Sequence, residues 1–380
     1  MEIRKILIAP DKFKGSLSSL EVCRAVQKGI RKISSSIEVE SMPVADGGEG
    51  TLKCLVSAVG GKVYTARVTG PLGNSVTARY GVLKNGTGVV EISEACGLAL
   101  VPESKRNPLK TTTYGVGELI SKLLDRKCKN IVIGIGGTST NDGGFGMAEA
   151  LGFRFLDKHR KKLRRGGEAL LQLEYIDSTG ADPRLKEVEV IACCDVLNPL
   201  TGKSGASIAF SRQKGANMHR ARMLEDAMIR YAKQVRKYRH VDILKVLGSG
   251  SGGGIGGGAR AFLGARLVSG AEYILQFLDY EKKLEGIDLV ITGEGKMDGQ
   301  SALGKAPFIV AKKASEKNIP VILIAGAIGE KEEEAYKSGV TAMECIADKP
   351  MSLEESISQA SELLAKATAR ILRVFIGSQI

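Results

Sequence analysis

The feature that most constrains this chain is a repeated order: a short apolar run, a loop of glycines and carboxylates, then a helical pattern. That order is the signature of a doubly wound parallel sheet. Residues 3–9 (Ile-Arg-Lys-Ile-Leu-Ile-Ala) read as a buried strand. The spacing then predicts a helix from about Ser18 to Ile33, with Ser16, Ser18 or Ser19 as its cap. A second strand at residues 37–43 runs into Asp46-Gly47-Gly48-Glu49-Gly50-Thr51 and a helix to about Val59. The same order returns late in the chain, with strands at 287–292, 320–325 and 340–345 and a helix after each, the last reaching about Phe375.

Between these stretches the pattern changes. Residues 64–68, 75–83 and 88–92 read as short strands joined by Gly-Pro and Asn-Gly turns. A helix over about 113–124 and strands at 130–135 and 188–193 follow. A chain of 380 residues exceeds what one hydrophobic core usually serves. Two domains are therefore expected: a discontinuous Rossmann-like domain of residues 1–66 and 285–380, and an inserted mixed α/β domain of residues 67–284.

Charge and cysteine usage narrow the class. The formal net charge is +13, much of it in residues 158–165 and 212–239. In the second segment Leu224, Ala227, Met228, Tyr231, Val235 and Tyr238 recur at helical spacing, so its basic residues are expected on the solvated face of an amphipathic helix. Nucleic-acid binding by stacking needs aromatics among the positive charges, and this chain is 5% aromatic with no tryptophan. No nucleic-acid partner is expected. No apolar run reaches the roughly 18 residues of a membrane span, and no export signal is visible. The seven cysteines form no C-x-x-C pair, which points to reduced thiols and a cytoplasmic protein.

Five strand-end loops carry carboxylates or amides among glycines, prolines or serines: residues 11–16, 46–51, 141–144, 195–199 and 293–301. Open α/β sheets bind ligands at the carboxyl ends of their strands. Glycine beside a carboxylate lets backbone N–H groups approach a phosphate, while the carboxylate holds Mg²⁺ or takes a proton. A sixth run, Gly248–Gly258, leads into an apolar helix and reads as an anion-binding loop at a helix N-terminus, ahead of a hinge or a dinucleotide site. Residues 299–306 match G-x-x-x-x-G-K but place Ala306 where a P-loop needs a hydroxyl. With three histidines and neither H-E-x-x-H nor G-x-S-x-G, carboxylates and lysines must supply the acid, base and metal roles.

Taken in order, these motifs resemble those of the type I glycerate kinases. They are IAPDKFKGSL at 8–17, PVADGGEGT at 43–51, VTGPLG at 68–73, RNPLKTTTYG at 106–115, IGIGGTSTNDGG at 133–144, ACCDVLNPL at 192–200 and ITGEGKMDGQ at 291–300. Arg160 departs from the resemblance, standing where the family usually has glycine, and so does Cys193 in the Cys193-Cys194 pair. The resemblance implies transfer of the ATP γ-phosphoryl group to a hydroxyl of D-glycerate, in most type I members at C2. It also implies a Rossmann-like or flavodoxin-like domain with a second domain inserted, Mg²⁺ as cofactor, and an active site in the interdomain cleft. A 3-phosphoglycerate product is the nearest alternative, a dinucleotide-dependent oxidoreductase a remote one, and a homodimer is left open.

On these residues, Lys12, Lys14 and Arg67, with Ser16 at a helix start, are expected to neutralise the glycerate carboxylate. Asp46, Glu49 and Asn141 are further substrate candidates. Asp195 is the expected proton acceptor, with Asp142 as alternative. Gly252, Gly253, Gly254, Gly293, Glu294 and Lys296 are expected at the ATP phosphates, and Glu294 with Asp298 at Mg²⁺.

Overall fold

The computed structural model describes residues 2–297, 304–330 and 332–376. In chain order its strands are β1 (Lys5–Ile8), β2 (Glu38–Ser41), β3 (Gly61–Thr69), β4 (Ser75–Leu83), β5 (Gly88–Glu91), β6 (Asn130–Ile135), β7 (Arg154–Leu156), β8 (Tyr175–Asp177), β9 (Glu189–Cys194), β10 (Arg266–Ser269), β11 (Leu289–Glu294), β12 (Val321–Ala325) and β13 (Ala342–Cys345). The chain gathers into two compact units, residues 1–46 with 271–380 and residues 47–270. The divisions fall at 46 and 270 where the sequence pattern suggested 66 and 284. Packing moves the first of them: β3 pairs with β4 along its whole length, and the helix Thr51–Val59 packs on β4, so residues 47–66 follow the second unit's sheet. Residues 271–284 are tied to the first unit, Tyr280 donating to the Val310 carbonyl and Lys283 to Glu40.

The first unit is built on one all-parallel sheet in the order β13-β12-β11-β1-β2. Counted within the unit this is 2-1-3-4-5, the flavodoxin-like doubly wound order. Ile6, Leu7 and Ile8 of β1, Leu289–Ile291 of β11 and Val321–Ala325 of β12 are all buried, as strands covered on both faces must be. The helix Ser19–Arg31 begins with a capping box, Ser18 accepting from the Glu21 N–H and Glu21 accepting in return. Its Val22, Val26 and Ile30 pack in one core with Leu363, Leu364 and Leu372 of the helix Ala360–Ile376. The chain leaves β1 toward β2 on one side and β11 toward β12 on the other. The carboxyl ends of β1 and β11 are therefore the switch point where such sheets open for a ligand.

The second unit holds a six-stranded mixed sheet in the order β10-β9-β6-β5-β4-β3. β3, β4 and β5 run antiparallel and the remaining pairings are parallel. β7 and β8 form a separate hairpin. The pattern did not announce β7, β8 or β10, because runs of three or four residues are too short to show a period of two. The helix Met218–Arg239 buries Leu224, Ala227, Met228, Tyr231 and Val235 at the predicted spacing. Lys214 corrects the expectation of a wholly solvated basic face: it sits in a separate turn, Arg212–Lys214, and is 3% exposed. Arg160 adopts φ +58°, the left-handed conformation that glycine takes without penalty, and its guanidinium lies 4.5 Å from the Tyr175 ring centroid. Six of the seven cysteines are buried, and all seven are free thiols. Among the described residues no helix is long and apolar enough to cross a membrane.

Candidate functional site

In the first unit, a cavity of about 460 Å³ opens at the carboxyl ends of the strands. Its charged lining comes from the segments after β1 (Asp11, Lys12, Lys14), after β2 (Asp46), and from the end of β11 onward (Glu294, Lys296, Lys305). Backbone bonds set this geometry: the Asp11 N–H donates to the Gly293 carbonyl at 2.9 Å and the Gly326 N–H to the Glu294 carbonyl at 3.1 Å. Lys12 Nζ lies 3.3 Å from Asp46 Oδ1 and 3.6 Å from Asp11 Oδ1, and Lys305 Nζ lies 2.9 Å from Glu294 Oε2. Asp11 is 4% exposed. Burial, and then the neighbouring Asp46 charge, push its carboxyl up to about 7 against the pull of Lys12.

In the second unit, Asp195 follows β9 and is exposed, with Ser251 Oγ donating to its Oδ1 at 3.4 Å. Asp142 is fully buried. Its Oδ2 accepts from the Thr113 N–H, the Thr113 hydroxyl and the Gly146 N–H, and its Oδ1 from the Gly144 N–H. With four donors bound it braces the turn between β6 and the helix Phe145–Ala150. Lys214 Nζ, in the same unit, donates to the Thr140 carbonyl at 2.7 Å and to Thr138 Oγ1 at 3.2 Å, and burial pulls its ammonium down to about 8. The unfolded chain keeps that proton to about 10.5, so it binds more protons than the folded one between pH 8 and 10.5. Stability contributed by this group therefore rises with pH across that window, by up to about 3 kcal/mol. Denaturant titrations at pH 8 and pH 10 should show the rise in the native protein and its loss in Lys214→Met.

The structure thus brings Lys12, Lys14, Ser16, Asp46, Glu294 and Lys296 to one cavity, mixing residues expected at glycerate with residues expected at ATP. Glu49, Arg67 and Asn141 belong to the other unit. Glu49 is exposed, Arg67 donates to Ser75 Oγ from an exposed strand, and buried Asn141 donates to Ser207 Oγ. Asp298 lies outside the described residues. Close packing by itself requires glycine at two of the four positions expected at phosphates, Gly253 and Gly293. Gly252, Gly253 and Gly254 take φ of +62°, +76° and +91°, and a Cβ on Gly253 would sit 2.0 Å from the Thr140 carbonyl oxygen. Two backbones meet there, and the Gly254 N–H is taken by the Gly250 carbonyl. Gly293 lies inside β11, where a Cβ would meet the Ile324 carbonyl oxygen of β12 at 2.1 Å. Sequence reasoning left Asp11 and Lys214 without roles. The Pro-Asp turn closing a buried strand was a usable signal for Asp11, but Lys214 had none within a run of basic residues.

The comparisons with known proteins agree with one another. Residues 6–376 match the model of the Glycerate kinase family. The chain is 43% identical over 368 residues to a protein named glycerate 2-kinase from Escherichia coli, covering 97% of each chain. It is 40% identical over 367 residues to a glycerate kinase from Halalkalibacterium halodurans, covering 96% of this chain and 97% of that one. A crystal structure described as glycerate kinase 2 from Salmonella typhimurium LT2 aligns over 100% of both chains with a TM-score of 0.87 at 41% identity. This chain belongs to the glycerate kinase family.

Proposed function

We propose that this protein transfers the γ-phosphoryl group of ATP to the C2 hydroxyl of D-glycerate, giving 2-phosphoglycerate and ADP. The observation that carries the reading is the first unit's cavity, where four lysines and three carboxylates converge at a switch point. Phosphoryl transfer asks for positioning and charge neutralisation more than covalent catalysis, and this lining offers both. Family membership supports glycerate as acceptor, and the relative named glycerate 2-kinase supports C2.

Asp195 is the proposed base. As the glycerate oxygen bonds to the γ-phosphorus, the bond to the β-phosphate oxygen breaks and the hydroxyl proton passes to the Asp195 carboxylate. Ser251 orients that carboxylate. Asp142 holds the neighbouring turn through its four donors and is proposed as a positioning residue. Among the described residues no group of three His, Cys, Asp or Glu side chains could hold a metal ion. Mg²⁺ usually enters with nucleotide phosphates on one or two carboxylates, and Glu294 in the cavity lining is a carboxylate of that kind. Glu294, with Asp298, would hold it, and when bound it neutralises phosphate charge. Incubation with Mg-ATP and D-glycerate, followed by phosphorus NMR, should show ADP and 2-phosphoglycerate accumulating in equal amounts. No glycerate-dependent ADP would sink the kinase reading, and a 3-phosphoglycerate signal would correct the position.

A further inference from the structure

We propose that the cavity at the first unit's switch point is the nucleotide subsite, with the base and ribose against Ala327, Ile346, Leu353 and Ile357 and the phosphates among Lys12, Lys14, Lys296 and Lys305. The assignment rests on the kinase reading above and decides which ligand of that reaction enters this cavity.

Sheet order supplies the first argument. Ile346 follows β13, Gly326 and Ala327 follow β12, Glu294 ends β11, and Asp11 to Ser16 follow β1. The lining thus passes from apolar to charged across the sheet. From β13 to β1 there are three strand spacings, roughly 14 Å. A nucleoside triphosphate has that reach, whereas a three-carbon acid covers about one spacing. The volume agrees: about 460 Å³ lies within the range of sites that enclose ligands of nucleotide size.

The second argument is the nature of the two ends. At the apolar end Leu353 is 76% exposed and Ile357 39%, on the helix Leu353–Ser358, and both line the cavity. Large apolar side chains exposed on a cavity rim suit a flat heterocycle that would cover them. Ser16 Oγ donates to the Ile357 carbonyl at 3.2 Å, joining this wall to the loop that carries Lys12 and Lys14. At the charged end four lysines stand against Asp11, Asp46 and Glu294, a formal balance of +1. A polyphosphate arriving with a divalent cation matches such a mixed lining. Lys12 and Lys14 are accordingly reassigned from the glycerate carboxylate to the nucleotide phosphates.

The test is calorimetric and independent of turnover. ADP and inorganic tripolyphosphate are titrated into the native protein and into Leu353→Asp and Ile357→Asp, with KM for glycerate measured alongside. Leu353 is the first residue of its helix, where Asp is well tolerated, so at least that variant should keep its native unfolding midpoint. The expected result is a Kd for ADP raised at least tenfold, with the Kd for tripolyphosphate and the KM for glycerate changed less than twofold. An unchanged Kd for ADP, or a raised KM for glycerate in its place, would overturn the assignment. Failure of the kinase reading looks different: the native protein would bind ADP but turn over no glycerate.

Discussion

Asp195→Asn is expected to lower kcat by about 10²–10⁴-fold while the KM for ATP stays within a few-fold of native, because an amide preserves the shape of the side chain and cannot accept the proton. The geometry behind this is local to the second unit. Asp195 follows β9 directly, its backbone N–H donates to the Ile135 carbonyl of β6, and Ser251 Oγ donates to its side chain. The carboxylate is exposed at the carboxyl end of a parallel strand, where a substrate can reach it. Steady-state kinetics with saturating Mg-ATP and varied glycerate reads the effect, and kcat and kcat/KM for glycerate should fall together. A kcat within threefold of native would remove Asp195 from the base role and turn attention to Asp11, whose carboxyl is pushed up to about 7 in the first unit's cavity.

Asp142→Ala should produce the largest loss of stability of any single site substitution considered, at least about 3 kcal/mol. The change leaves three buried N–H groups and the Thr113 hydroxyl without their acceptor, and each unsatisfied buried donor costs about 1–3 kcal/mol. Some of that is recovered if water enters the gap. Chains of more than one domain do not in general unfold in one two-state step, so the quantity to follow in urea is the midpoint of the transition that moves in the variant. Asp142→Asn keeps one acceptor oxygen but turns an NH₂ toward donors, and should lose nearly as much. A midpoint unchanged in both variants would show that the four donors find other partners, and would end the positioning role. The contrast with Asp195 is the point: two aspartates on strand-end loops, one fully buried and braced, the other exposed.

Much of the first unit was legible in the residues. The runs at 3–9, 287–292, 320–325 and 340–345 became β1, β11, β12 and β13 within two residues at either end; for β1, β11 and β12 the reason is that strands buried on both faces are nearly continuous apolar runs, whereas β13 is a partly exposed edge strand. The cap of the first helix could be narrowed to Ser16, Ser18 or Ser19, and the structure selects Ser18, with Glu21 completing a capping box. Helical spacing from Leu224 to Val235 was equally readable. What these features share is that cause and effect lie within one or two turns of chain.

The loops that hold chemistry could be named from the sequence, but their membership in a site could not. Glycine runs are ambiguous alone: nothing within the run shows that a Cβ on Gly253 would meet the Thr140 carbonyl oxygen at 2.0 Å, and only the fold brings that second backbone there. Lys214 reads as one more solvated lysine until the fold closes over it. Asp142 and Asp195 are indistinguishable as residues, and burial separates them. Residue order and type carry the alternation of elements, the family and the set of carboxylates and lysines available. Which of these share a cavity and which are turned inward is settled when the chain folds. Local pattern is set by neighbours in the chain, whereas burial, ion pairing and backbone approach depend on contacts hundreds of residues apart, such as Asp11 with Gly293 and Ser16 with Ile357.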